Sequence, residues 1–477
     1  MTTSSSFSDT DSFVLSGQTI TIAPGTIASA VTVLGGGTLV VSGVANGTRL
    51  QGTTAGSAQE IVQSGGTEQN VTVLSGSVQI MSGGLLNTGI ALAGGSIALS
   101  SGAVADSLVA GSKGAITISS AEVTSVTFTG GTVTVTDARV PVQAVSSGTL
   151  VLGSATSVTG LQMGTDGTLI LNGGSASGTV ISGVSAQEQI LAPAGSGGVT
   201  DQDFLILDGG SQQVMNGASV ENGTVASGGS QTLQNGTSAR QVIVASGGIQ
   251  TVASGATAVN DVVEAGGFVT NDGTLVFEGQ SSVAGQISGA GAITQTGSGT
   301  TLQFTSGALE HFSGSIALSG GTVIVADGAE ASHVQFLFST SGGESLVLGS
   351  VPTSLTLSGF GPNDSVFLSG VTSDTSLSLG SGSQLTLESG GAAVETIFLD
   401  SGTDYSNANL TLVENGDGTG ATLSFGGAAS PHIDTIITSG DVGTVVATDE
   451  NALIPATSLA INTMVEAGGR LYVDGLG

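Results

Sequence analysis

The chain has 477 residues with 80 glycines, no cysteine, no tryptophan and two tyrosines, and 35 acidic side chains against five basic ones give it a formal charge of −30. That balance excludes recognition of nucleic acid or anionic lipid by charge, because both need Lys and Arg to displace counterions. No cysteine means no disulfide, thiolate metal site or cysteine nucleophile, and so few aromatics cannot fill an ordinary enzyme core. A length that would suit two to four globular domains therefore suits a repeat array better.

The first segment, 1–12 (MTTSSSFSDTDS), reads as a flexible tail. It has no basic region followed by an apolar stretch, so it is not a secretory leader, and nowhere is there an apolar run long enough to cross a bilayer. Export would then use a C-terminal route or leave a processed product. Strand-like alternation begins at once with Phe13-Val-Leu-Ser-Gly-Gln-Thr-Ile-Thr-Ile and continues through 13–280 as a regular solenoid. Val, Ile and Thr recur in short alternating runs, which argues against disorder, and frequent Gly with β-branched residues argues against helix. Glycine pairs at Gly65-Gly66, Gly83-Gly84, Gly94-Gly95 and Gly130-Gly131 punctuate these runs at drifting intervals.

Spacing becomes strict between Asp208 and Gly267. The pairs Gly209-Gly210, Gly228-Gly229, Gly247-Gly248 and Gly266-Gly267 stand 19 residues apart, and Gly217, Gly236 and Gly255 each fall eight residues into a unit. Each unit thus has two corners, where glycine takes a positive φ without steric cost. The Asn-Gly pairs at Asn46, Asn172, Asn216, Asn222, Asn235 and Asn415 are turn signals of the same kind. Aligned by its corners, the stretch puts Gln212, Gln231 and Gln250 in one column, Val214, Leu233 and Val252 in the next, and Val225, Val244 and Val263 in a third. Rungs of a coiled parallel β-structure lie ~4.8 Å apart, so like stacks on like. Aliphatic columns make a narrow core, and the Gln column makes an amide ladder expected at its margin. At ~20 residues per rung, one continuous solenoid would be very roughly 110 Å long.

Register loosens over 281–340, read as degenerate rungs. Larger residues then appear in 341–477, a β-rich C-terminal region and candidate assembly module, with Phe360, Phe367, Phe398 and Phe425 following Phe336 and Phe338. Its strictly alternating segments fit a continued solenoid or a β-sandwich-like module. Glu395 to Phe425 reads as strand, loop, strand, tight Asn-Gly-Asp-Gly turn, strand. The acidic loops here offer oxygen ligands for Ca²⁺ at Asp400, Asp404, Glu414 and Asp417. Neither the EF-hand nor the GGxGxD spacing occurs, and Asp/Asn-Gly is first a turn signal.

Catalytic chemistry finds little support. Arg49, Lys113, Arg139, Arg240 and Arg470 are far apart in sequence, and His311, His333 and His432 form no metal-binding spacing, although His432 and Asp434 would share a strand face. A polysaccharide-processing enzyme on a β-helix would need acids and bases converging from distant rungs. The chain reads as non-enzymatic and needs no cofactor, with Ca²⁺ the one ion to consider.

The SGGSQTLQNG and SGGIQTVASG units within Gly209–Gly267 resemble the 19-residue repeats of AIDA-type autotransporter passenger adhesins. The likeness is good over about three units and weaker over half the chain. It implies a right-handed parallel β-helix of about 19–20-residue rungs, exposed outside a Gram-negative cell and used for adhesion to other cells or surfaces. The layout also resembles, by composition alone, the repeat regions of alphaproteobacterial proteins that carry a C-terminal hedgehog/intein-type domain. The chain shows no outer-membrane barrel strands, and the missing leader leaves an intracellular filament as an alternative location. Strand-like sequence at both termini, without polar caps, suggests head-to-tail homopolymers, because a heterologous contact that does not close generates filaments. A monomeric adhesin binding cell-surface components is the alternative.

Overall fold

The structure is a computed structural model that describes residues 12–53, 56–139, 141–191, 200–340, 342–372, 375–380, 383–389, 391–400, 405, 410–416, 418–425, 435–436, 445–446, 451–454, 464–465 and 470–473. The expected tail, apart from Ser12, lies outside them. Regular structure among the described residues is β-strand throughout, arranged as a parallel β-solenoid in two compact units, 1–232 and 233–477.

In the first unit one strand of every turn joins a long parallel sheet, from Thr19–Ile22 and Thr38–Val41 to Gln187–Leu191 and Ser211–Met215. Opposite it, early turns contribute long strands such as Thr67–Leu74, Leu85–Ala91 and Val104–Gly111. Later turns divide that wall into two narrower lines, for instance Val180–Ile181 with Leu205–Ile206, and Ser175–Ser177 with Thr200–Gln202. Thr19 faces Thr38 and Ser96 faces Ala115, each 19 residues on. The step contracts to 17 between Thr132 and Thr149 and widens to 24 between Gln187 and Ser211. Glycine-pair intervals drift early in the chain because the rungs themselves differ in length.

Alternation decides the core. In Thr19–Ile22 the isoleucines are buried and the threonines exposed, as the two-residue strand period requires. Ile97, Ile116, Val133, Leu150 and Leu169 then stack in register, each 1 % exposed or less. Buried aliphatics carry the packing, roughly 1.5–3 kcal/mol for each fully buried Val, Leu or Ile side chain.

The two glycines of a pair do different work. Gly209 has φ +76° and its N–H donates to Gly228 O at 3.0 Å, so successive corners are themselves bonded into a ladder. Gly210 instead presses on the turn beneath, where a Cβ would lie 2.4 Å from Ile181 O. No side chain fits there.

The second unit repeats this plan with Ile249–Val252, Phe268–Asn271 and Gln286–Gly289 in one line. Gly236, Gly247, Gly255 and Gly266 all have φ between +76° and +79°, with Gly236 N–H donating to Gly255 O and Gly247 N–H to Gly266 O. Strands lengthen in Ala292–Phe304 and Ser315–Val325, and parallel pairing continues to Ser365–Ser369. Thereafter Gly420–Phe425 pairs antiparallel with Ser365–Ser369 and with Leu410–Glu414. Ala392–Leu399 extends Leu355–Ser358 in parallel and carries antiparallel Gln384–Ser389 and Thr375–Leu379. These hairpins continue the sheet of the preceding turns. Short parallel strands return beyond them, with Val445 facing Met464 and Asn451 facing Arg470, both 19 residues on.

Candidate functional site

The calcium candidates divide. Asp404 and Asp417 lie outside the described residues. Asp400 follows Ala392–Leu399 and its Oδ2 accepts from Gly359 N–H at 2.9 Å and from Tyr405 O–H at 3.1 Å. It ties the hairpin region to a coil corner beside packed rings: Phe338–Phe360 centroids are 5.3 Å apart, Phe360–Phe425 5.5 Å and Tyr405–Phe425 6.1 Å. Glu414 is exposed at a hairpin tip opposite Ala421. The turn beside it is closed by Asn415, whose Oδ1 accepts from Gly420 N–H at 2.9 Å and whose Nδ2 donates to Thr419 Oγ1 at 2.8 Å. Among the described residues no three His, Asp or Glu side chains gather to hold a metal ion.

Basic groups are equally dispersed. Arg240 pairs with Glu278 at 2.7 Å on an exposed face, and Asn260 Nδ2 donates to the same carboxylate oxygen at 3.1 Å. A shallow groove lined by Ser120, Glu122, Asp137 and Arg139 brings acids and a base to one corner of the first unit. A second open cleft, lined by Val351, Val371, Leu387 and Glu395, lies where hairpins meet coil in the second unit.

The polar chemistry with the firmest geometry lies inside the coil. Gln212 and Gln231 are each 1 % exposed and Gln250 is fully buried, so the Gln ladder sits in the core and not at its margin. The reason is the strand period: Gln212 and Val214 point the same way, and inward amides are tolerated because they bond along the stack. Gln231 Nε2 donates to Gln212 Oε1 at 2.7 Å, and Gln212 Nε2 donates to Glu188 Oε2 at 2.9 Å and Asp201 Oδ2 at 3.0 Å. In the second unit Gln250 Nε2 donates to Asp261 Oδ2 at 2.6 Å, whose Oδ1 accepts from Val242 N–H at 2.9 Å. Val214, Leu233 and Val252 beside this ladder are fully buried.

Carboxyls therefore end the ladders, and two of them form pairs. Glu188 and Asp201 come from facing walls of the first unit and meet at one donor, the Gln212 amide. Glu60 lies beside Glu68 lower in that unit, with Gln79 Nε2 donating to Glu60 Oε2 at 3.0 Å and Thr48 O–H donating to Glu68 Oε2 at 2.9 Å. All four residues are fully buried. Burial raises every one of these carboxyls above its ordinary range, and the negative neighbour raises Glu60 and Asp201 further. Burial pushes Asp261 up to about 7 against the hydrogen bonds from Gln250 and Val242. Asp364, buried beside Glu344, is pushed to about 7 even though Gly343, Glu344 and Gly361 N–H groups all donate to it.

These acids carry no repeat signature in the sequence. Glu60 and Glu188 occupy the Gln column, with Glu60 facing Gln79 and Glu188 facing Gln212. An acid in an inward column was the available signal, but partners from a different wall follow no repeat spacing.

No family model matches the chain, and no curated protein matches it. Among solved structures it is similar to a hyper-glycosylated TibA fragment, spanning residues 55–350, whose glycosylation is catalysed by TibC. The two share 20 % identity over 67 % of this chain and 97 % of the fragment, with a TM-score of 0.31.

Proposed function

We propose that the chain is a non-enzymatic β-solenoid adhesin, displayed at a Gram-negative cell surface, that binds other cells or surfaces through a coil flank. One observation carries the reading. In the second unit Ile249 and Phe268 face each other on adjacent turns with 47 % and 45 % of their surfaces exposed, as do Ile243 and Val262 with 37 % and 47 %. Large apolar side chains repeated in register on a wet face suit contact with a partner. The antiparallel hairpins after Ser369 support it too, because they cover the strand edge that stacking of further turns would use. The 19-residue cadence resembling AIDA-type passengers supplies the proposed location.

Beads coated with the purified chain test this. Adhesion to Gram-negative or epithelial cells that is lost in Ile249→Asp/Phe268→Asp, with the fold retained by circular dichroism, supports the flank; unchanged adhesion overturns it.

End-to-end self-association is the second reading, with a specific observation in its favour. Phe13–Val14, Thr19–Ile22 and Ile27–Ser29 each pair on one side only among the described residues, and Phe13, Leu15 and Ile27 there are 58 %, 49 % and 66 % exposed. Electron micrographs in Ca²⁺ and in chelator decide it. Filaments support this reading, their loss in chelator would add a calcium contact through the acidic loops, and particles of one copy in both conditions remove it.

A further inference from the structure

We propose that the core carboxyl pairs Glu60–Glu68 and Glu188–Asp201 each hold a shared proton in the folded coil, making the first unit a proton-operated clamp that loosens in alkaline medium.

Geometry argues for the proton. Two ionised carboxylates side by side in a buried core would repel with no positive charge to offset them, because no cation faces either pair. Around Glu60 the neighbouring turns present Leu39 and Gln79, and around Glu68 they present Ala45, Leu86 and Thr48. Arg49, next in sequence to Thr48, is exposed. Around Glu188 the facing residues are Leu169 and Gln212, and around Asp201 they are Ala176 and Val220. Thr179, also buried, lies beside Asp201, and Asp203 nearby is exposed. None of these inward neighbours titrates or carries charge.

The hydrogen bonds point the same way. Gln79 and Gln212 each spend an amide N–H on the pair, which suits one net negative charge and opposes a metal cation between the carboxyls. Glu60 Oε1, Glu188 Oε1 and Asp201 Oδ1 have no partner among the described residues. An anionic oxygen pays dearly for that, whereas a protonated carboxyl shared with its neighbour bears it more easily. Burial raises the proton affinity of all four groups, and the companion charge adds to it at Glu60 and Asp201. On opening, each pair releases its proton to water and both carboxylates become solvated. The folded coil binds more protons than the unfolded chain, so its stability falls as pH rises.

The double variant Glu60→Gln/Asp201→Asn tests this in the full chain, because an amide reproduces the neutral, hydrogen-bond-donating partner without a titratable proton. The wild-type melting temperature, followed by far-ultraviolet circular dichroism, is expected to drop by roughly 10 °C between about pH 5 and pH 9. The variant should lose most of that drop and be the more stable of the two at the alkaline end. A flat wild-type profile, or a variant with the wild-type slope, overturns the proposal. Infrared spectroscopy of the wild type at neutral pH gives a readout that needs no variant. The carbonyl stretch of protonated carboxyls is expected, surviving exposure to heavy water except for its isotope shift, and its absence overturns the proposal.

Discussion

The regular turns of the first unit and the hairpin region of the second solve the same problem, burying one face of a strand, by opposite means. In the turns a narrow core is built from Ile, Val and Leu columns whose register is dictated by backbone contact from corner to corner, Gly209 N–H to Gly228 O among them. In the hairpins, rings from separate segments, Phe338, Phe360, Tyr405 and Phe425, gather around one point and no register is repeated. The first arrangement is intolerant of added volume at its corners, the second of lost volume at its centre.

Phe360→Ala should have the largest effect. It removes a ring that is 1 % exposed from the middle of the cluster, costing about 4 kcal/mol in denaturant titration. Hydrogen exchange should quicken in Gly420–Phe425 and leave the turns of the first unit unchanged. Gly210→Val should cost about 3 kcal/mol and affect the turns instead, since its Cβ would collide with Ile181 O and Leu207 O. Gly416→Ala is the matched control in a hairpin: nothing lies within 4 Å of the added carbon, so stability should stay within about 0.5 kcal/mol. An equal response at Gly210 and Gly416 would erase the distinction.

Gln212→Leu should cost about 2 kcal/mol, because it keeps the volume and deprives Glu188 and Asp201 of their shared donor. Asp261→Asn sharpens the same point in the second unit. Asp261 holds its proton to about pH 7 when folded, so its contribution is complete below about pH 4 and is lost as pH rises to about 7. The variant should flatten that part of the melting profile. The smallest effect is expected from calcium: with Asp400 already engaged by Gly359 and Tyr405, chelator should move the melting temperature by less than about 1 °C.

How much of this could be read in advance follows from the same contrast. Coil class and corner glycines are written as a period, since each rung must meet the rung beneath and Gly209, Gly217, Gly228 and their successors repeat one backbone conformation. Even the strand order of Glu395 to Phe425 follows from local alternation and an Asn-Gly turn. The Gln column lies deeper than its polarity suggests, because amides favour water until a stacked neighbour supplies Gln231–Gln212 bonding. The carboxyl pairs were invisible for a stronger reason: Glu60 and Glu68, or Glu188 and Asp201, meet across a core whose width is set by how two walls close. The ring cluster around Phe360 likewise depends on closure, and the acidic loops that drew attention to calcium gave no sign that Asp400 would be a tie.

The widened step between Gln187 and Ser211 carries a consequence. Five residues more than the usual 19 are absorbed there, yet Ile190 still faces Val214 and Leu191 still faces Met215. The ladder register survives a longer turn. Strand pairing, and not a fixed residue count, is therefore what keeps these turns in step, and a turn can differ in length without shifting the columns above and below it.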